Sequence, residues 1–85
     1  MPSTTIAVGS SVGLHARPAA VIAAAVTESG VPVTLATNGG VPVDAGSALL
    51  IMTLGAKYGD QVTVACDDEA LLRKVADLVA TDLDA

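Results

Sequence analysis

The chain has almost no aromatic side chains: its 85 residues include one tyrosine, no phenylalanine and no tryptophan. The apolar 52% of the sequence is therefore almost entirely aliphatic, and so is the core that we predict. One hydrophobic core usually occupies roughly 50–200 residues, which excludes a second domain in a chain of this length. We expect a single domain over residues 1–85.

Basic residues are also scarce, with four Lys and Arg against nine Asp and Glu and a net charge of −5. A surface of this sign does not attract phosphate backbones, so nucleic acid is not an expected partner. The only cysteine, Cys66, cannot form an internal disulfide, and strand-forming residues flank it. We expect a buried thiol in a reducing cytoplasm.

Long hydrophobic runs and targeting signals are missing. The longest apolar run, from Ala19 to Val26, has eight residues, whereas a membrane-spanning helix needs roughly 20. No basic residue precedes the first apolar stretch, as a secretory signal would require. We therefore expect a cytoplasmic protein without membrane insertion.

The first third of the chain predicts a strand, a loop and a helix. Residues 4–8 alternate as a short strand does, and a glycine-containing loop follows. Strong helix formers come next, and Pro18 is compatible with a helix only in its first turn. We predict a helix over residues 16–28, with His15 at or beside its N-cap and Gly30 as its stop.

The middle of the chain predicts a hairpin followed by a short helix. Residues 31–37 alternate as a half-buried strand, and Asn38-Gly39 is a strong hairpin signal. A partner strand should then occupy residues 40–44, at a sheet edge because Pro42 lacks a donor for the ladder. A short apolar helix is expected over residues 48–52.

The last third predicts a strand at 60–66 and an amphipathic helix at 69–83. The complete order is βαββαβα. A central hairpin, without a run of parallel βα units, favours an antiparallel sheet with its helices on one face. We therefore predict an α+β open-faced sandwich of four strands and three helices.

His15 is the only histidine and lies where a helix is expected to begin. A lone histidine more often has no chemical role, but a helix N-terminus binds phosphate through its N–H groups and dipole. Arg17 follows in the same turn, and its guanidinium matches phosphate oxygens. A neutral imidazole can attack phosphorus and later release it. We predict His15 as a phosphoacceptor, with the N–H groups of Ala16 and Arg17 binding the phosphate.

The sequence offers no means of binding a nucleotide. It has no Walker-type loop, no paired carboxylates at metal spacing, and no second histidine or cysteine for zinc. We expect no cofactor and no metal. The phosphate should therefore come from one protein and leave to another, which makes the chain a stoichiometric carrier rather than a stand-alone catalyst.

A carrier needs an apolar docking surface beside its phosphoacceptor. The residues that we predict for this surface are Ala16, Ala20, Leu49 and Met52. Helical spacing assigns a second group to the core, namely Leu50, Ile51 and Leu54. Asp44 is expected at the surface and Tyr58 partly in the core.

Ser47 is a second candidate for phosphorylation, because a phosphate there would also lie at a helix N-terminus. A simple N-cap for the short helix is the plainer interpretation. Whether Ser47 has a regulatory role is left open.

The segment from Gly13 to Ala20, Gly-Leu-His-Ala-Arg-Pro-Ala-Ala, closely resembles the phosphorylation motif of the HPr family. These are the histidine-containing phosphocarriers of the bacterial phosphoenolpyruvate:sugar phosphotransferase system. The resemblance extends to Asn38-Gly39, to Ser47 with the apolar residues after it, and to Met52-Thr53-Leu54-Gly55. It covers essentially the whole chain.

The resemblance implies that enzyme I phosphorylates His15 at Nδ1, rather than at the tele nitrogen, and that the phosphate passes to IIA components of sugar transporters. Arg17 would assist the transfer, and the carrier would be a monomer that docks through its first two helices. In many Gram-positive relatives a serine kinase/phosphorylase modifies the serine that matches Ser47, but here Gly46 replaces the basic residue often found before it.

Three alternatives stay open at this point. The chain could serve a nitrogen-regulatory or dihydroxyacetone phosphorelay instead of sugar uptake. It could also be a non-phosphorylated interaction or allosteric module in which His15 and Arg17 are incidental. A stand-alone enzyme is the weakest alternative, because the sequence has no metal or nucleotide site.

Overall fold

The computed structural model describes residues 2–82, which form four strands and three helices in the order βαββαβα. The strands are β1 (Ser3–Ala7), β2 (Val33–Thr37), β3 (Val43–Asp44) and β4 (Gln61–Cys66). The helices are α1 (Ala16–Ser29), α2 (Ala48–Thr53) and α3 (Glu69–Ala80). The strands form one sheet in the order β1-β4-β2-β3, with antiparallel neighbours throughout. The predicted architecture is confirmed.

Alternation along the strands puts one face of the sheet in the core. In the central strand β4, Val64 lies opposite Thr4 of β1 and Leu35 of β2. The fully buried residues of β2 and β4 are every second one: Val33, Leu35, Val62, Val64 and Cys66. The helices cover this face, chiefly through Ile22, Val26, Val75 and Val79. The core is therefore aliphatic, and it includes the Cys66 thiol, as predicted.

Helix boundaries follow local capping chemistry. Gly30 ends α1 with a φ of 71°, which a glycine adopts without strain. Asp68 begins α3, because its carboxylate accepts the N–H groups of Ala70 and Leu71 at 3.0 and 3.2 Å. The end of α1 and the start of α3 therefore coincide with local signals in the sequence.

The predicted hairpin needs a correction. The Gly40 N–H donates to the Thr37 carbonyl at 2.8 Å, so a turn does form around Asn38-Gly39. Only Gly39 of this pair has a positive φ, whereas the tightest Asn-Gly hairpin turn requires it at both residues. Pairing with β2 resumes only at Val43, after Pro42. The strand predicted at 40–44 is thus two residues long, and it does lie at the edge of the sheet.

Other boundaries also shift. β1 begins and ends one residue earlier than predicted, and β2 begins at Val33 rather than at residue 31. α3 ends at Ala80 because Thr81 is extended, and the Gly9 N–H donates to the Val79 carbonyl at 3.0 Å. The N-terminal loop therefore binds a carbonyl that another helical turn would use. Leu83, the predicted end of this helix, lies outside the described residues.

Two hydrogen bonds fix how α1 and α2 lie beside each other. The Thr27 hydroxyl, near the end of α1, donates to the Gly46 carbonyl just before α2 at 3.3 Å. The Leu14 N–H, just before α1, donates to the Ala56 carbonyl after α2 at 3.0 Å. The two helices are therefore antiparallel neighbours, and the start of α1 lies beside the segment that follows α2.

Candidate functional site

His15 is the N-cap residue of α1, as predicted. Its backbone is extended, with φ −92° and ψ −161°, and its carbonyl accepts the Ala19 N–H at 2.9 Å. The imidazole is exposed and makes no side-chain capping hydrogen bond. Pro18 lies buried in the first turn, where a missing N–H costs the helix nothing. The ring therefore stands at the positive end of α1, available to a partner molecule.

The loop before His15 is held against the segment after α2. Leu14 is only 3% exposed, and its side chain belongs to the core. Gly13 has a φ of +75°, and a Cβ at this position would lie 2.5 Å from the Ala56 carbonyl oxygen. The close approach leaves no room for a side chain. Two anchors immediately before His15 thus fix the direction in which the chain enters α1.

Two exposed basic side chains, with Asp60 beside one of them, lie at this end of the molecule. Arg17 is exposed in the first turn of α1, as predicted, two residues from His15. Lys57 is also exposed, and it follows Ala56, which contacts the His15 loop. The first turns of α1 and α2 contain no acidic residue. Two of the chain's four basic residues therefore lie near His15, in a protein whose net charge is −5.

The predicted docking residues are distributed less simply than expected. Ala16 and Ala20 are exposed on α1, and Leu49 is 69% exposed on α2. Met52 is half-buried against the core rather than exposed. Leu50, which we assigned to the core, is 40% exposed, so that assignment is wrong.

Ile51, in the six-residue helix α2, is fully buried, as predicted. Each residue turns about 100° from the one before it, so Leu50 and Met52 lie on opposite sides of Ile51. The packing of α2 on the core covers Met52 and leaves Leu50 exposed. Leu54 is partly buried against the core, in agreement with its assignment.

The prediction that Tyr58 lies partly in the core is also wrong, because this residue is 67% exposed. It lies in the turn from Lys57 to Asp60, where the Asp60 carboxylate accepts the Lys57 N–H at 2.9 Å. The Gly59 N–H donates to the Val8 carbonyl at 2.9 Å. These bonds hold the backbone of the turn against the domain and leave the ring outside. Asp44 is exposed, as expected, and accepts the Gly46 N–H at 2.8 Å.

Ser47 is the N-cap of α2. Its hydroxyl oxygen accepts the Leu50 N–H at 3.2 Å, and the side chain is half-buried. Its own N–H donates to the Asp44 carbonyl at 3.2 Å. The residue therefore has a structural role that needs no phosphate.

Replacing Ser47 with Ala should lower the free energy of unfolding by about 1 kcal/mol, because the Leu50 N–H loses its acceptor at the end of a short helix. Chemical denaturation measures the loss. Ser47→Asn is the control, since an asparagine caps equally well and should keep the stability near wild type. Equal losses in both variants would show that the cap does not contribute.

Neither a metal centre nor a membrane span is found in residues 2–82. No group of three or more His, Cys, Asp and Glu side chains in this range is placed to hold a metal ion. No helix within it is long and apolar enough to cross a bilayer.

Comparison with known proteins identifies the family. A family model described as the phosphorylation site of the HPr component of the phosphotransferase system matches residues 2–81. The chain belongs to the HPr family. As a member of that family, it is a phosphocarrier of the phosphotransferase system.

Relatives of this HPr chain agree with the assignment. The phosphocarrier protein HPr of Streptomyces coelicolor is 44% identical over 87 residues, which cover 99% of this chain and 94% of the relative. The crystal structure of an HPr from Bacillus anthracis has a TM-score of 0.84 at 26% identity, over 92% of this chain and 95% of that one. HPr-C-His from Thermoanaerobacter tengcongensis has a TM-score of 0.87 at 27% identity, over 100% and 98% of the two chains.

Sequence reasoning missed the segment after α2 as a neighbour of His15. Lys57 and Tyr58 follow His15 by more than 40 positions, and no local pattern links the two regions. The link depends on the backbone contacts of Gly13 and Leu14 with Ala56. Gly13 is the one local sign, because a glycine directly before a site can mark a close backbone approach.

Proposed function

We propose that His15 accepts a phosphoryl group at Nδ1 from enzyme I, which draws it from phosphoenolpyruvate, and delivers it to the IIA component of a sugar transporter. One observation carries the proposal: the only imidazole of the chain is exposed at the N-cap of α1 and makes no capping bond there. Such a ring can meet a partner's active site without breaking any contact of its own helix.

The transfer is a reversible displacement at phosphorus. The Nδ1 lone pair of neutral His15 forms the new N–P bond while the donor's bond to phosphorus breaks and its electron pair leaves with the donor. The ring proton stays on Nε2. The N–H groups of Ala16 and Arg17, with the positive end of α1, stabilise the anionic oxygens. The same step in reverse, toward an acceptor, discharges the carrier.

Partner docking uses the apolar surface next to His15. Ala16 and Ala20 of α1 let a partner approach closely, and Leu49 supplies the largest exposed apolar side chain of α2. Leu50 extends this surface, and Met52 supports it from a half-buried position. An exposed apolar surface of this kind contributes most when a partner covers it completely.

Incubation with phosphoenolpyruvate, Mg²⁺ and catalytic enzyme I tests the proposal. Intact mass spectrometry should show one added phosphate that acid removes, because phosphohistidine is acid-labile. The charged carrier should then lose its phosphate to the IIA domain of a sugar transporter. Transfer only to a nitrogen-regulatory or dihydroxyacetone-relay acceptor would assign it to that relay. A folded carrier that stays unmodified with active enzyme I would instead favour the interaction module.

Arg17 should accelerate the transfer by holding the phosphoryl oxygens through its guanidinium. Arg17→Ala is expected to lower the rate of phosphorylation roughly 10- to 100-fold, the range that one charge-assisted hydrogen bond provides. Stopped-flow or rapid-quench measurement of the phosphorylated fraction gives the rate. The rate for Arg17→Lys should lie between those of the wild type and Arg17→Ala, because lysine keeps the positive charge but cannot form the two parallel hydrogen bonds of a guanidinium.

The control for Arg17 is Arg73→Ala, which removes the same charge from the exposed side of α3. It should change the rate less than twofold, because salt screens the effect of a distant exposed charge. If Arg17→Ala and Arg73→Ala behave alike, Arg17 has no specific part in the transfer.

Regulatory phosphorylation of Ser47 by a serine kinase/phosphorylase is a further possibility within this proposal. A phosphate there would replace the Leu50 cap and add negative charge beside exposed Asp44. The N-terminus of α2 favours such a charge and the Asp44 carboxylate opposes it, so the main effect should be to make the docking surface on α2 more negative. A carrier that exchanges phosphate between enzyme I and IIA components would also be cytoplasmic, and monomeric so that one face can meet successive partners.

A further inference from the structure

We propose that the turn formed by Lys57 and Tyr58, which follows α2, is a second contact surface for the phosphoryl donor beside the His15 loop. Its occupant is a donor surface that presents carboxylates around an apolar patch. The inference rests on the proposed function, since it concerns the partner that charges His15.

The turn lies against the loop that precedes His15. Two hydrogen bonds tie the turn to the strand that leads into the His15 loop: the Gly59 N–H donates to the Val8 carbonyl, and the Val8 N–H donates to the Asp60 carbonyl, both at 2.9 Å. A Cβ on Gly13 would lie 3.0 Å from the Lys57 Cα. The backbone of the turn therefore touches the chain two residues before His15.

The turn exposes an aromatic ring. Tyr58 is the only aromatic residue of the chain, and it is 67% exposed. Tyrosine, with tryptophan and arginine, is enriched among the residues that dominate binding at protein interfaces. Val12 is also largely exposed in the turn next to Gly13. An exposed aromatic ring and an exposed aliphatic side chain therefore lie on the two segments that meet before His15.

The turn also carries a positive charge in a negatively charged protein. The protein carries a net charge of −5, and the phosphoryl group to be received is itself anionic. The long-range field therefore opposes the approach of a donor, and local cations must offset it. Lys57 provides a flexible ammonium in this turn. Asp60 faces the same turn, where its carboxylate is bound by the Lys57 N–H.

Steady-state kinetics of enzyme I with the carrier as substrate tests the inference. Lys57→Gln and Tyr58→Ser should each raise KM roughly 3- to 10-fold with little change in kcat, as expected for residues that contact the partner outside the reacting atoms. The KM of Lys57→Gln should also depend less on salt than that of the wild type. A purely structural effect would not reduce the salt dependence.

Matched controls separate contact from general effects. Lys74→Gln, on the exposed side of α3, changes the net charge by the same amount. Val41→Ser removes an 81% exposed apolar side chain from the loop between β2 and β3. Both should keep KM within twofold of the wild type. If either turn variant behaves like its control, the two-residue contact is overturned while the proposed function stands. If the wild type itself takes no phosphate from active enzyme I, both proposals fail.

Discussion

His15→Ala is expected to take no phosphate from enzyme I while remaining folded. Removal of a nucleophile typically lowers the rate more than about a thousandfold, and the chain has no second imidazole to replace it. The imidazole is exposed and caps no N–H group of α1, so the free energy of unfolding should change by less than about 0.5 kcal/mol. Intact mass after incubation with phosphoenolpyruvate measures the first effect, and thermal unfolding measures the second.

Ser47→Ala serves as the control for this experiment. It removes the hydroxyl of the second candidate phosphoacceptor, yet it should gain the same single acid-labile phosphate as the wild type. An acid-labile adduct on His15→Ala would show that another residue accepts the phosphate. An adduct that survives acid and disappears in Ser47→Ala would indicate a serine phosphoacceptor instead.

Gly13→Ala is expected to lower the free energy of unfolding by about 3 kcal/mol. Roughly 1 kcal/mol comes from placing a Cβ at a positive φ. About 2 kcal/mol more comes from the contact at 2.5 Å with the Ala56 carbonyl oxygen, which cannot move away without weakening its bond to the Leu14 N–H. For a domain of this size the midpoint of thermal unfolding should fall by roughly 10–20 °C.

Gly39→Ala is a closely matched control for Gly13→Ala. Both glycines have a φ of +75°, but a Cβ on Gly39 would meet no atom within 4 Å. Its cost should be the backbone strain alone, about 1 kcal/mol. Gly13→Ala should also slow phosphorylation of His15, because the shifted loop leads directly into the N-cap, whereas Gly39→Ala should not. Equal losses of stability would show that the packing of the loop against Ala56 contributes nothing.

Local patterns made the fold of this chain predictable. The apolar helix α1 (Ala16–Ser29), the alternating strand β4 (Gln61–Cys66) and the caps at Ser47 and Asp68 depend on residues close together in the sequence. Periodicity and capping are local properties, so the type and order of the elements followed from them. The boundaries that shifted depend on distant groups, as when Gly9 binds the carbonyl of Val79.

The residues of the candidate site also form two groups, one predictable from local sequence and one placed by contacts between distant segments. The sequence alone was sufficient to predict His15 at the N-cap of a helix with Arg17 in its first turn, because both positions are set by residues in a single segment. Only the tertiary structure decided that Leu50 is exposed, that Tyr58 lies outside the core, and that Lys57 adjoins the His15 loop. Each of these depends on how α2 and the turn after it lie against α1 and β1. Contacts between segments far apart in the chain leave no periodic signal in either one.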